Sequence, residues 1–475
     1  MDFVALSAGA LLPWLLGIAM LLLLRPAATA LAAPGEIAWI VGAGYLAGAF
    51  ALTLWMRALS LAGIKFGIVA IAMPLAIVTI ACVVLSWRRY GRAFPQAWQE
   101  AARALVVAPD GTTARAIWWL LLAWLAVRFA LLGIEIASRP LYPWDAWTQW
   151  STKARVWYEL GYLAPFAGAN AWLAANGAVY FDASPAYPPT MPLLQAWSCL
   201  WLGRWDDALM NWPWWQIGVA LTFAVYGGLR SLGVAALPAL VGALLVASLP
   251  LANVHVALAG YADLPLAACY TAAALALLRW AQSRDLRDAG ATLLFAVACT
   301  QIKNPGWFWA LTLVPGAIVV LLPRYGVRVS VVGFAVAAFL LVALARMKLV
   351  LFNYRINFDY DPPWGDLGES YFLLGNWHLL WYGVIVVALL AGRQLLSRTL
   401  APLTMIVLGG LLFLFFVFGF TNASQYISDQ TTVNRATLHF APLIVVFTVL
   451  AWQAFAQRWV AAHPEPAATA DAAVS

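Results

Sequence analysis

The chain reads as long apolar stretches broken by short polar ones. Runs of about 17–25 apolar residues are long enough to cross a bilayer as helices. Thirteen such runs occur, near 4–24, 37–56, 65–86, 116–136, 212–229, 234–252, 263–281, 289–302, 305–322, 328–347, 377–392, 400–420 and 438–456. The eighth is cut short at Lys303-Asn304-Pro305-Gly306, where proline removes a donor and clashes with the preceding turn. The pattern predicts an all-α polytopic membrane protein of about 13 transmembrane helices. A β-barrel would instead show alternating segments of about 10 residues.

Composition agrees. Of 475 residues, 64% are hydrophobic and only 10% charged, against about 45–50% and about 25% in an average soluble domain. A water-soluble fold of this composition would expose apolar surface over most of its exterior. Cys82, Cys199, Cys269 and Cys299 are mostly set in apolar runs with no close pairing. They read as small core residues rather than a disulfide or metal set.

The net charge of +7 is first a question of topology, because Lys and Arg collect on the cytoplasmic side. If the thirteen runs alternate, Arg88, Arg89, Arg92, Arg103, Arg115, Arg279, Arg284, Arg287, Arg324, Arg328, Arg393 and Arg398 share one side. That side carries 15 Lys/Arg against 7 acids, and the other 11 against 13. The N-terminus is then outside and the C-terminus inside. Arg57 and Lys65 run against the bias, and Arg128 is left within a run. The first run, behind an acidic Met1-Asp2, reads as a retained helix rather than a cleaved signal. Residues 1–115 form an N-terminal part with a basic cytoplasmic loop, 116–456 the main membrane domain, and 457–475 a disordered tail. The outer stretches 137–211, 348–376 and 421–437 are too long for simple turns. The first, rich in tryptophan, predicts amphipathic helices at headgroup level.

Ionisable residues near membrane depth are costly and mark function or paired charge. Five groups gather on the outer side. Asp145, in Tyr142-Pro143-Trp144-Asp145-Ala146-Trp147, is a helix cap or a general base. Lys153 and Arg155 follow it. Tyr187-Pro188-Pro189-Thr190 is a rigid re-entry turn or a pocket wall. Asp263, after Gly260-Tyr261-Ala262, is again a cap or a functional acid. Lys303 snorkels to the interface, or pairs with Asp263 or with a phosphate. Arg435, in Asn434-Arg435-Ala436-Thr437-Leu438-His439, anchors to headgroups or grips a phosphate with its planar fork. Asp359, Asp361, Asp366 and Glu369, beside Tyr354, Arg355, Tyr371 and Trp377, suit sugar binding or a solvated loop. No nucleotide-binding glycine loop is present.

These placements resemble the polytopic C-type glycosyltransferase superfamily, which includes protein O-mannosyltransferases and lipid A aminoarabinose transferases. The likeness covers about 116–456 and rests on four elements: an acid early in a long outer loop (Asp145), a later Pro-rich element with a following Trp (Tyr187 to Trp197), a Lys-Pro-type break (Lys303 to Pro305), and an Arg entering a late helix (Arg435). The chain departs from the pattern in having one Asp rather than an acidic pair, and three runs before the domain that carries the loop. The Arg-rich, Lys-poor composition suggests a bacterial inner membrane, and the resemblance implies an enzyme. It would transfer a sugar, with inversion, from a polyprenyl-phosphate donor to an extracytoplasmic lipid, glycan or protein. Asp145 is then the base, with Asp263 second. Lys303, Arg435, Arg355, Arg155 and Lys153 are the phosphate candidates. Trp144, Tyr187, Tyr261, Asp361 and Trp364 are the sugar or acceptor candidates. No nucleotide or other cofactor and no nucleic acid is implied. A divalent metal would fall to Asp145, Asp263 and Asp182, but their spacing does not indicate one. The competing class is a non-catalytic lipid-linked glycan transporter or scaffold of an envelope polysaccharide system.

The alternation makes a direct prediction. In intact cells an impermeant thiol reagent should label Asn170→Cys and leave Glu100→Cys untouched. Labelling at 100 alone would invert the topology.

Overall fold

The structure is a computed structural model that describes residues 2–25, 28–105, 108–347, 350–351, 354–356 and 362–463. It is 78% helical. The only strands among the described residues are two short pairs, Phe166–Ala167 with Tyr180–Phe181 and Val350–Leu351 with Tyr354–Arg355. Among the described residues eight helices are long and apolar enough to cross a membrane: Val4–Leu24, Glu36–Leu61, Ile68–Tyr90, Thr112–Ser138, Asp263–Ser283, Gly326–Arg346, Ala401–Phe420 and Ala441–Ala462. The chain therefore has the build of a multi-pass membrane protein.

The other five apolar runs are helical but shorter, broken or more polar. Run 212–229 is the helix Trp212–Ser231, which carries Gln216 and Arg230. Run 234–252 is two helices, Ala236–Ser248 and Pro250–Ala257, bent by 60°; counted as one span, they make nine. Pro250 has no N–H to continue the ladder. At the bend the Arg128 Nε donates to the Ala247 carbonyl at 2.8 Å, which gives the arginine left within a run a local task. Run 289–302 is the 15-residue helix Leu286–Thr300. Run 305–322 is split into Gly306–Thr312 and Val314–Leu321, and run 377–392 is the 12-residue Leu380–Ala391.

Burial sorts the helices. Asp263–Ser283 is 89% buried in its most apolar window, and Gly326–Arg346 only 6%. Ile68–Tyr90 and Thr112–Ser138 are also mostly exposed. The centre is Asp263–Ser283, Glu36–Leu61 and Trp212–Ser231, which pack on one another. Glycine allows the closest approach. In Gly44-Tyr45-Leu46-Ala47-Gly48 the two glycines face the helix Asp2–Leu24, and a Cβ on Gly48 would overlap the Pro13 carbonyl. Without a hydrophobic drive between helices in lipid, such small-residue seams let backbones pack by van der Waals contact.

At one pole of the bundle a buried charge network joins four helix ends. Glu36 Oε1 pairs with Arg25 Nη1 at 3.0 Å, and its Oε2 with Arg279 Nη2 at 2.7 Å. Asp288 Oδ1 lies 3.4 Å from Arg279 Nε and 3.6 Å from Arg25 Nη1. Arg279 was expected to face the cytoplasmic surface. It is buried instead, because two carboxylates and the face of Trp39, 5.2 Å away, receive it.

The segment 139–211 at the other pole holds the helices Ser151–Leu160, Ala169–Ala174 and Thr190–Leu202. Of its tryptophans, Trp144 and Trp147 are exposed, whereas Trp150, Trp157 and Trp197 are buried in the core. The headgroup expectation thus fails for those three. The tail expectation needs a similar correction: Ala441–Ala462 is one helix, so 457–462 are ordered, and 464–475 lie outside the described residues.

A Gly48→Leu substitution should force the first two helices apart. We expect much reduced accumulation in membranes and a lower thermal midpoint in detergent, while Gly333→Leu on the open helix Gly326–Arg346 should be neutral in both. Equal behaviour would remove the seam from the packing account.

Candidate functional site

The site is built around Asp263, the first residue of a central helix, wholly buried. Its residue type fits a cap, but the capping position is Ala262 and the Asp263 carboxylate bonds side chains only. It collects cations instead. Lys303 Nζ donates to Oδ1 at 2.6 Å. Arg435 donates to Oδ2 through Nε at 3.1 Å and Nη2 at 2.9 Å. His439 Nε2 lies 2.7 Å from Oδ1. His255 Nε2 stands 4.0 Å from Oδ2.

The His439 ring has a determined tautomer. Trp309 Nε1, which can only donate, bonds His439 Nδ1 at 2.9 Å. Nδ1 is therefore the acceptor, and Nε2–H donates to Asp263. With Nδ1 free of a proton, the ring is neutral.

Local backbone features bring the groups together. Gly260 has φ +120°, and a Cβ there would overlap Ala146. That contact lays Asp145 beside Tyr261 and Asp263. Pro305 and Gly306 close the corner that carries Lys303, and a Cβ on Gly306 would overlap the Cys299 carbonyl. Arg435 sits on the helix Thr432–Leu438. Asn434 ties this helix down: its Oδ1 accepts from Ser370 Oγ at 2.9 Å and from Trp377 Nε1 at 3.0 Å.

Asp145 also makes no capping bond. Its Oδ2 pairs with Arg435 Nη2 at 2.5 Å, and its side chain is 21% exposed. Among the described residues Oδ1 has no hydrogen-bond partner. Arg435 thus bridges the two carboxylates and lies 4.4 Å from the centre of the Tyr261 ring. Burial opposes its charge, but Asp263 and Asp145 outweigh this and raise its pKa above the ordinary value. One acid is sealed and spent on cations, and the other is partly exposed.

Asp145, Asp263, Lys303, Arg435 and Tyr261 therefore meet, from four separate stretches of sequence. The remaining expected residues lie elsewhere. Lys153 is buried against Asp182, with Nζ 3.4 Å from Oδ1 and 2.8 Å from the Ser184 carbonyl; both are taken up in stapling the 139–211 segment. Arg155 is exposed, paired with Glu159 at 2.8 Å one turn on. Arg355 is exposed on its hairpin, where its backbone N–H bonds Asn422. Tyr187 stacks on Trp150 at 5.0 Å, and Trp364 on Phe415 at 5.8 Å. Trp144 is exposed next to Asp145. Asp361 lies outside the described residues. Asp182 is not with the other two acids. Among the described residues no group of three or more His, Cys, Asp or Glu is placed to hold a metal ion.

Two members were missed from sequence. His439 stands four residues after Arg435, on the same helical face, and this spacing was readable. His255 closes the bent pair just ahead of Asp263 and was legible only as an isolated histidine. Comparison with protein-family models, with curated proteins and with solved structures finds no match for the chain.

Removing one partner of a buried ion pair costs about 3–5 kcal/mol, and an exposed pair about 0–1 kcal/mol. Asp263→Ala, which strands Lys303 and Arg435, should therefore lower the thermal midpoint far more than Asp145→Ala. Equal decreases would remove Asp263 from its place as the pin.

Proposed function

We propose that this protein is a membrane glycosyltransferase. It would move a sugar from a polyprenyl-phosphate donor to an extracytoplasmic acceptor with inversion. The observation that carries the reading is the pairing of a partly exposed carboxylate, Asp145, with a cation set held by a second, sealed carboxylate. In this reading the thirteen apolar runs each cross a bacterial inner membrane, the broken ones included, and the pole bearing Asp145 faces outward. The alternation supports this, since Asp145, Asp263, Lys303 and Arg435 all fall at run ends assigned to one side.

The chemistry follows from charge. As the bond from the sugar's anomeric carbon to the phosphate oxygen breaks, negative charge grows on the lipid phosphate. Cations fixed in a dry site stabilise that charge more in the transition state than in the ground state. Arg435 and Lys303 are so fixed. The acceptor oxygen forms its new bond on the opposite face of the anomeric carbon, and its proton passes to Asp145 Oδ1. Asp263 is enclosed by four donor contacts and fits a positioning role better than that of second base. The resemblance to the C-type glycosyltransferases supports the donor class. A transporter or scaffold would show no bond cleavage.

Purified protein given labelled polyprenyl-phosphate sugars should release lipid phosphate. Asp145→Asn should cut turnover about 10²–10⁴-fold with little change in thermal midpoint. No release from any donor, with intact protein, would leave the transporter or scaffold reading. Near-normal turnover in the Asn variant would remove Asp145 as the base.

A further inference from the structure

The helix Glu36–Leu61 ends at the same pole and carries Arg57 near that end. The side chain is half-buried. Nη1 donates to Gln301 Oε1 at 2.8 Å, and Nη2 to Thr190 Oγ1 at 2.5 Å. The Thr190 hydroxyl donates on to the Gln301 carbonyl. Arg57 Nε is buried with no acceptor.

What sets Arg57 apart is charge. The buried cations Arg25, Lys153, Arg279 and Lys303, and the partly buried Arg435, each lie within 4.0 Å of a carboxylate. Among the described residues Arg57 has none. Arg128 and Arg230, also without one, serve backbone carbonyls, of Ala247 at the helix bend and of Val234 after the helix Trp212–Ser231. Both partners of Arg57 are neutral, so they orient the guanidinium without balancing it. A cation withdrawn from water without a counter-charge is costly, and its net cost falls when an anion supplies the charge. The guanidinium is a planar fork of five donors matched to phosphate oxygens. Two are engaged by Thr190 and Gln301. Gln301 stands two residues before Lys303, so one corner of the chain aims Arg57 and carries a site cation.

We propose that Arg57, aimed by Thr190 and Gln301, binds the phosphate headgroup of a membrane lipid at this pole. The proposal deepens the function above and rests on it for the donor class: it assigns the donor's phosphate a cation that has no carboxylate of its own. Arg57 would add its charge at the phosphate to those of Lys303 and Arg435, which Asp263 holds in place.

The test is binding to the full chain in detergent micelles, with decyl phosphate as probe and decanol and inorganic phosphate as the other arms. A charge-assisted contact changes affinity about 10–150-fold. Arg57→Gln should weaken decyl phosphate by that factor and leave decanol unchanged. Arg57→Lys keeps the charge without the fork and should lose less than Gln but more than nothing. Thr190→Val should weaken decyl phosphate with the charge intact. Unchanged decyl phosphate affinity in Arg57→Gln would overturn the proposal. So would parallel loss of decanol binding and thermal stability, which would make Arg57 a structural tie. Inorganic phosphate binding as tightly as decyl phosphate would overturn the lipid assignment. An Arg57 effect on decyl phosphate with no sugar release from any donor would sustain the anion site and reject the transferase.

Discussion

A carboxylate sealed inside a helical bundle is the constraint on which this arrangement depends. Asp263 has no exposure, so its charge must be met by protein groups. The groups that meet it come from far along the chain: a lysine at a helix break, an arginine on a short helix before the last long one, and a neutral histidine beside that arginine. Each has to arrive with its backbone at the right depth. That requirement explains the Pro305-Gly306 corner and the glycine at 260 that lets the Asp145 segment close in.

The same economy of polar groups orders the bundle as a whole. The most lipid-exposed long helices, Ile68–Tyr90 and Gly326–Arg346, are more apolar than the central Asp263–Ser283, which carries the buried Asp263, Thr271 and Arg279. Lipid tolerates no unpaired polar group at its centre, so polar positions are drawn inward, where partners exist. Broken helices follow the same rule. The bend at Pro250 frees a carbonyl, and Arg128 is there to bond it.

Charged residues standing out against apolar sequence made much of the site legible. Asp145, Asp263, Lys303 and Arg435 were conspicuous for that reason, and they meet. Arg155 and Lys153 were equally conspicuous and do not join them. Arg155 has its partner one helical turn away, at Glu159, a spacing that needs no tertiary information. Lys153 has its partner in Asp182, across a loop whose path sequence does not reveal. Both aspartates looked like caps, because local pattern reports backbone position and not what reaches the side chain from elsewhere. The span pattern was legible for helices uniformly apolar along their length. It was less so where proline or a polar inner face shortens the run, as in 234–252 and 289–302. Arg57 registered only as an exception to charge bias.

The central helix Asp263–Ser283 is gripped at both ends. Asp263 is tied to Lys303 and Arg435 at one pole, and Arg279 to Glu36 and Asp288 at the other. The two residues are sixteen positions apart, or roughly 24 Å at 1.5 Å per residue. The helix therefore acts as a tie rod of fixed length through most of the membrane's apolar thickness. Sliding it along its axis by even part of a turn would part buried charges at both poles at once. Any motion that admits or releases a large ligand therefore falls to the weakly packed rim, above all Gly326–Arg346 and Ile68–Tyr90, turning about a rod that stays still.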